Sequence, residues 1–397
     1  MKNNKVVLAY SGGLDTSYCI KYFSEEKGLE VHTVAVDTGG FDPEAYSFLE
    51  ERAFQLGATS HRTINALEDY YEQCIKFLIF GNVLKNNTYP LSVSAERFFQ
   101  AMAVAKYAAE IDAAYVAHGS TGAGNDQVRF DLAFEILALG VEILTPIRDL
   151  GLSREEETTY LQKHGVDISW EKAQYSINKG LWGTSVGGAE TLTSHQALPD
   201  AAYPSPLVMT DPVACSIQFR KGEVVGINGE TMSPLAAIKA LNALASEYAI
   251  GRDTHVGDTI IGIKGRVGFE APASLVLIKA HHLLEKHVQT KDQQQLKSFL
   301  AETYGNKLHE AEFLDPVMRD IEAFFTNAQK RVTGKVFVRF SPYRFELIGI
   351  ESPFDLMKSK AGQYGEVNKA WTADDAKGFI KIYGMGQKIY HSIKDDE

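Results

Sequence analysis

The apolar run Val6-Val7-Leu8-Ala9-Tyr10 passes directly into Ser11-Gly12-Gly13-Leu14-Asp15-Thr16-Ser17, a turn of small residues set between a strand and a helix. That order constrains the fold more than any other feature of the chain. The β-branched run predicts a strand over 5–10, and Leu14, Tyr18 and Tyr22, spaced by four, predict one face of a helix. The glycine pair lets backbone approach an anion. The hydroxyls of Ser11, Thr16 and Ser17 can donate to phosphate oxygens, and the helix N-terminus adds free N–H groups and a positive dipole end. An ordinary strand-to-helix turn also uses glycine and serine, so the turn alone names no ligand. Neither the lysine of G-x-x-x-x-G-K-[ST] nor the spacing G-x-G-x-x-G is present, which removes the support for a kinase-like or a dehydrogenase reading.

A second strand over 31–36 makes this a β-α-β unit. A helix is expected from Asp42-Pro43, with Asp as cap and Pro at the first helical position, to Gly57. Another runs from Ser94 through Phe98, Met102 and Ala105 into a strand, Ala114 to Ala117, and Val141 to Ile147 reads as one more strand. Ser153-Arg154-Glu155-Glu156 has capping-box spacing and opens a helix ending near Gly165. The alternation predicts an α/β domain with a parallel twisted sheet covered on both faces and ligands beyond its carboxyl ends. The pattern changes after about residue 170, where a glycine-rich stretch, 180–188, precedes a proline-rich one, 199–206. Hairpin signals at Lys221-Gly222 and Asn228-Gly229, a helix from Ser233-Pro234 to Ile250, a strand over 259–264, a helix over 273–287, two further helices and a hairpin over 335–350 predict a second, α+β domain. Residues 361–397 are polar with an amphipathic stretch near Trp371 to Tyr390, which suits a C-terminal helical oligomerisation arm or a frayed surface helix. The expected division is 1–168, 169–360 and 361–397.

A chain of 397 residues with 45% hydrophobic content can fill two ordinary cores. Forty basic against 51 acidic residues leave a net charge of −11, which argues against a nucleic-acid partner. Cys19, Cys74 and Cys215 are odd in number and widely spaced, with no C-x-x-C pair to hold zinc, so no metal site is expected from them and a reduced cytosol fits. The apolar run after Met1-Lys2-Asn3-Asn4-Lys5 is too short for a signal segment, and no run approaches the roughly 20 apolar residues of a membrane span. The expectation is a soluble, cytoplasmic protein without a membrane partner.

The loop after the fourth expected strand reads His118-Gly119-Ser120-Thr121-Gly122-Ala123-Gly124-Asn125-Asp126-Gln127-Val128-Arg129-Phe130. Its glycines give backbone freedom, while Thr, Asn, Asp and Arg supply donors, a carboxylate and a guanidinium fork. That set suits an amino acid beside a nucleotide, and a solvated turn is the alternative. The string SGGLDTS resembles the pyrophosphate loop of the N-type ATP pyrophosphatases, the adenine nucleotide hydrolase-like fold. With GNDQVRF following, the chain is similar to the argininosuccinate synthases over nearly its full length. Further matches are Tyr89-Pro90-Leu91, Tyr175-Ser176, Leu181-Trp182-Gly183-Thr184-Ser185 and Glu351-Ser352-Pro353.

The resemblance implies an ATP- and Mg²⁺-dependent ligase. ATP adenylates the ureido oxygen of citrulline with release of pyrophosphate, and the amine of aspartate displaces AMP to give argininosuccinate, a step of arginine biosynthesis. It implies ATP binding by Ala9, Tyr10, Ser11, Gly12, Gly13, Leu14, Asp15, Thr16 and Ser17, with Ala35 contacting the adenine side through its backbone and Gly119 closing the pocket. Thr121, Asn125 and Asp126 match the aspartate site, and Tyr89, Ser94, Asn125, Arg129, Ser176 and Ser185 the citrulline site. Asp15, Asp126 and Arg129 are the candidates for catalysis: Asp15 organises Mg²⁺ or pyrophosphate or is a plain helix-start charge, Asp126 orients the attacking ammonium, and Arg129 grips a carboxylate. No general base stands out among Asp126, a phosphate oxygen and His118. The family also implies a homotetramer.

Three positions depart from the family pattern. Gly257 stands where a glutamate is expected, Phe269 where a tyrosine is, and Ala123 where a lysine is. Losing an acid and a side chain at the amino-acid end of the acceptor leaves an N-acylated citrulline, acetyl or succinyl, as an alternative substrate, unless Asp258 or Glu270 takes over. Another enzyme of the ATP pyrophosphatase type is a lower alternative, and a nucleotide-binding regulatory domain would leave GNDQVRF without purpose.

Overall fold

A computed structural model describes residues 3–166, 174–360, 362, 364–365 and 370–393. Five strands, β1 (Lys5–Ala9), β2 (Glu30–Asp37), β3 (Ser60–Asn65), β4 (Tyr115–Ala117) and β5 (Glu142–Leu144), form a parallel sheet in the order β3-β2-β1-β4-β5. Both faces are covered, and the side chains of each strand alternate between two cores. Val7, Val34, Val36 and Val116 face one core, while Val6, Leu8, Val31 and Ala35 face another with Leu14, Tyr18, Leu49 and Leu161. The chain reverses its order of laying down strands between β1 and β4, so the loops after these two neighbouring strands open a shared crevice.

The local signals hold where they are strongest. Asp42 caps Pro43–Gln55 by accepting from the Ala45 N–H, and Ser153 and Glu156 form a reciprocal capping box on Arg154–Lys163. The strand expected over 141–147 is shorter. Pro146 starts the helix Pro146–Leu150, because its ring pre-sets a helical φ and cannot donate to a ladder. The long helix begins at Ser92, two residues before Ser94, and runs to Glu110.

In the second unit a four-stranded antiparallel sheet runs in the order Arg252–Asp258, Lys264–Glu270, Gly183–Gly187, Ser176–Gly180. A five-stranded one contains all three expected hairpins, with Val213–Arg220 at its centre beside Glu223–Ile227 and Gly334–Ser341, and Arg344–Glu351 at one edge. The strand expected over 259–264 is instead a turn. Thr259 N–H donates to Ile263 O at 2.8 Å and Gly262 has φ +84°, so the two strands flank it.

A helical rod over 67–81 is an element beyond those expected, although Leu67, Tyr70, Tyr71, Cys74, Ile75 and Leu78 recur at helical spacing on one buried face with Glu68, Asp69, Glu72 and Gln73 exposed opposite. It leaves the parallel sheet and packs among helices Pro272–Val288, Lys291–His309 and Pro316–Ala328, where Leu78, Ile79 and Phe80 share a core with Leu284, Tyr304 and Phe325. The two units are therefore joined through a common core. Helices Ala373–Tyr383 and Met385–Ser392 have no buried residue.

Candidate active site

The crevice at the reversal point is a cleft of about 860 Å³ whose walls come from both units. The phosphate-loop side is shaped by its own hydroxyls. Ser17 Oγ donates to Gly13 O at 2.7 Å, Thr16 Oγ1 to the same carbonyl at 3.3 Å, and Ser11 Oγ accepts from Gly13 N–H at 3.3 Å. Thr16 and Ser17 thus hold the turn in place, and the anion donors are the uncapped N–H groups opening helix Leu14–Lys21. Gly12 adopts φ +74°, and a Cβ there would lie 2.5 Å from Leu49 Cδ2.

The second loop lies directly on the first. A Cβ at Gly119 would sit 3.2 Å from Asp15 and Thr16, a tight contact that glycine avoids. His118 Nδ1 accepts from Ser120 N–H at 3.1 Å and its Nε2 faces Asp131 at 2.8 Å, which places the proton on Nε2 and gives this buried ring a structural role.

Asp126 is the electrostatic centre. Arg129 Nη1 donates to its Oδ1 at 2.9 Å and Arg97 Nε to its Oδ2 at 3.2 Å. Burial works to raise the Asp126 pKa, but the two guanidiniums outweigh it and hold the carboxyl below the usual range. An acid so held stays ionised and is a poor proton acceptor. Arg97 also reaches Gln100 Oε1 at 2.8 Å, Asn178 Oδ1 at 2.8 Å and Glu96 Oε1 at 3.3 Å, tying the long helix to the second unit. Asn125 Oδ1 accepts from Ile260 N–H at 2.8 Å, a second tie across the cleft.

Of the residues the sequence singled out, Ala9, Tyr10, Ser11, Asp15, Thr16, Gly119, Thr121, Asn125, Asp126, Arg129, Tyr89, Ser94, Ser176 and Ser185 all line this one cleft. Gly12, Gly13, Leu14 and Ser17 form the turn behind it. Ala35 buries its side chain fully in the core on the far face, between Val34 and Val36, which line the cleft, so that a contact with a ligand there falls to its backbone. Tyr89 OH accepts from Val93 N–H at 3.1 Å, so part of its role is to cap helix Ser92–Glu110, whose entry residue Leu91 is left-handed at φ +61°. Gly257 lines the cleft with Asp258, whereas Phe269 and Glu270 are buried, the latter 3.0 Å from Arg252. Phe269 packs on Tyr89 with ring centroids 5.4 Å apart.

Glu96, Arg97, His255 and His309 also line the cleft and were not singled out. An adjacent acid and base inside an apolar helix, Ala95-Glu96-Arg97-Phe98, was a usable signal. The histidines carry none, being single residues far apart in sequence. Glu157 is a further buried acid, behind the loop. Burial and then the Asp15 charge push its carboxyl up to about 8.

A lysine-free anion loop, a second ligand loop packed on it and an antiparallel unit across the cleft define a nucleotide-binding α/β enzyme that places a further substrate beside the phosphates. The family comparison is specific about which. Residues 5–167 match the arginosuccinate synthase N-terminal HUP domain and residues 175–390 the arginosuccinate synthase C-terminal domain. The chain belongs to the argininosuccinate synthase family of ligases. A protein named argininosuccinate synthase from Xanthomonas campestris is 37% identical over 99% of this chain and 100% of its own length. One from Methanocaldococcus jannaschii is 36% identical over 98% of each, and one from Sulfurisphaera tokodaii 34% over 98% of this chain and 100% of its own. Similarity of this extent does not favour an acylcitrulline-specific enzyme or another ATP pyrophosphatase. No helix among the described residues is long and apolar enough to cross a membrane.

Proposed function

We propose that the chain joins citrulline to aspartate with ATP, forming argininosuccinate, AMP and pyrophosphate. The observation that carries this reading is the contact of Gly119 with Asp15 and Thr16, which sets the anion loop beside Asp126 and Arg129 in one cleft. A ureido carbonyl is a poor electrophile because two nitrogens feed it electron density. Transfer of the adenylyl group to its oxygen supplies a leaving group, and the chain's contribution is positioning and charge compensation.

In this reading the N–H groups after Gly13 hold the triphosphate, and Arg129 takes the acceptor's carboxylate. Asp126 orients the amine of aspartate with Thr121 and Asn125, while Tyr89, Ser94, Ser176 and Ser185 line the citrulline side. Since Asp126 stays ionised, the amine's proton leaves to a phosphate oxygen or water. No cluster of three His, Cys, Asp or Glu suited to a metal occurs among the described residues. Mg²⁺ therefore depends on the phosphate oxygens, with Asp15 as a hard oxygen ligand, and would neutralise charge on the pyrophosphate. Exposed Phe379, Ile380, Ile382, Tyr383, Ile389 and Tyr390 on the last two helices support the homotetramer arm, and three buried free cysteines suit the cytoplasm.

Pyrophosphate release from ATP and Mg²⁺ with aspartate tests the reading, comparing citrulline, N-acetylcitrulline, N-succinylcitrulline and no acceptor. Release with citrulline supports it. Release only with an acylated form, or with none of them, overturns it.

A further inference from the structure

Leu181-Trp182-Gly183 is the turn between the two strands that carry Ser176 and Ser185 into the cleft. It is held from both units. Thr38 O of the first accepts from Leu181 N–H at 3.0 Å, while on helices of the second Asn242 Nδ2 donates to Leu181 O at 2.9 Å and Ser274 Oγ to Trp182 O. Gly183, at φ +140°, is wedged between helix starts: a Cβ there would lie 3.1 Å from Ser92 Cβ and 2.7 Å from Ala271 Cβ. Trp182 is buried and is not part of the cleft wall. A buried indole has one polar atom to satisfy, and Trp182 Nε1–H donates to Pro90 O at 2.9 Å.

That bond falls on a strained stretch. Leu91, next to Pro90 and fully buried, is left-handed at φ +61° where it enters helix Ser92–Glu110. A side chain resists this conformation, which persists only where neighbours impose it. The turn presents two groups to the cleft. Tyr89 OH accepts from Val93 N–H at 3.1 Å and from Ser92 Oγ at 3.3 Å, which leaves its own proton for a ligand, and Ser94 Oγ is buried without a hydrogen-bond partner.

We infer that Trp182 is a positioning residue for the acceptor: by holding the Pro90 carbonyl it keeps the left-handed turn that aims Tyr89 and Ser94 at citrulline, and it ties that turn to the strand carrying Ser185. The inference rests on the function proposed above. Without the indole N–H the turn relaxes, while the anion loop and Asp126 keep their own contacts.

Steady-state pyrophosphate release, with citrulline, aspartate and ATP varied in turn, tests it alongside thermal melts. Trp182→Phe keeps an aromatic ring and loses the donor, whereas in Trp182→His the imidazole Nε2 takes the place of the indole nitrogen and the six-membered ring is lost. Trp182→Phe is expected to raise KM for citrulline about tenfold, with KM for ATP and aspartate within about twofold of the wild type. Trp182→His is expected to melt at the lower temperature of the two, having the larger cavity, yet to keep KM for citrulline within about threefold. A role confined to packing would order KM as it orders stability. Benzothienylalanine at position 182, the shape of tryptophan with sulfur in place of N–H, is expected to reproduce the Trp182→Phe kinetics without its cavity. An unchanged KM for citrulline in either donor-free variant, or a parallel rise for all three substrates, overturns the inference. Silence of the wild type toward citrulline defeats the functional reading instead.

Discussion

Asp126 between Arg97 and Arg129 is where a single side chain has most leverage. Asp126→Asn leaves two buried guanidiniums short of a counter-charge and removes the group that orients the amine. Roughly a hundredfold loss in kcat/KM for aspartate is expected in steady-state assays, with a much smaller change in ATP binding. Glu96 has the opposite environment: burial raises its carboxyl to about 7 although Arg97 pulls it down. The folded state therefore holds that proton more tightly than the unfolded chain does. The group's contribution to stability is full below pH about 4.5 and is lost as pH rises through about 7, on the order of 3 kcal/mol. Glu96→Gln is expected to narrow the gap between melting temperatures at pH 5 and pH 8. An unchanged gap in thermal melts would show that Glu96 ionises freely.

At the scale of elements, two features hold the cleft together. The anion loop relies on the left-handed Gly12, where any side chain meets Leu49. Gly12→Ala is expected to destabilise the fold by about 1–3 kcal/mol and to raise KM for ATP, read by thermal melts and by initial rates. The rod over 67–81 is tied to the second unit by a buried network. Lys297 Nζ is bonded to Glu285 and donates to Phe80 O at 2.9 Å, while Asn82 Nδ2 donates to Glu285 at 2.6 Å. Lys297→Met strands the Glu285 charge and is expected to cost about 3–5 kcal/mol in urea unfolding. The double change with Glu285→Leu should recover part of that loss, because the stranded charge is then gone.

For the whole molecule, the apolar faces of Ala373–Tyr383 and Met385–Ser392 are exposed, with no residue of either helix buried against the described residues. Removing residues 370–397 is expected to reduce the assembly's mass in light scattering to a smaller oligomer or a monomer, with the cleft's own residues intact. An unchanged mass would place the contacts between copies elsewhere. The parallel sheet and the second unit meet through Asn125 with Ile260 and Arg97 with Asn178, so the cleft exists only when both are folded.

The sequence by itself determined what depends on short range. Strand and turn at 5–17, the caps at Asp42 and Ser153, and the hairpins at Lys221-Gly222 and Asn228-Gly229 follow from local backbone preference, which acts over a few residues. Residue type alone left the two glycine-bearing loops open to ordinary turns, and it was the resemblance of their whole strings that pointed to the family. Only the tertiary structure decided that β1 and β4 are neighbours, that the Ala35 side chain lies in the core on the far face of the sheet, and that Pro146 cuts β5 short in favour of a helix. The same holds for Arg97 bridging Asp126 to Asn178, and for His255 and His309 meeting beside Gly257. These facts rest on contacts between residues far apart in the chain, whose partners no local pattern specifies, and on burial, which sets the charge of each acid and imidazole after the fold is complete.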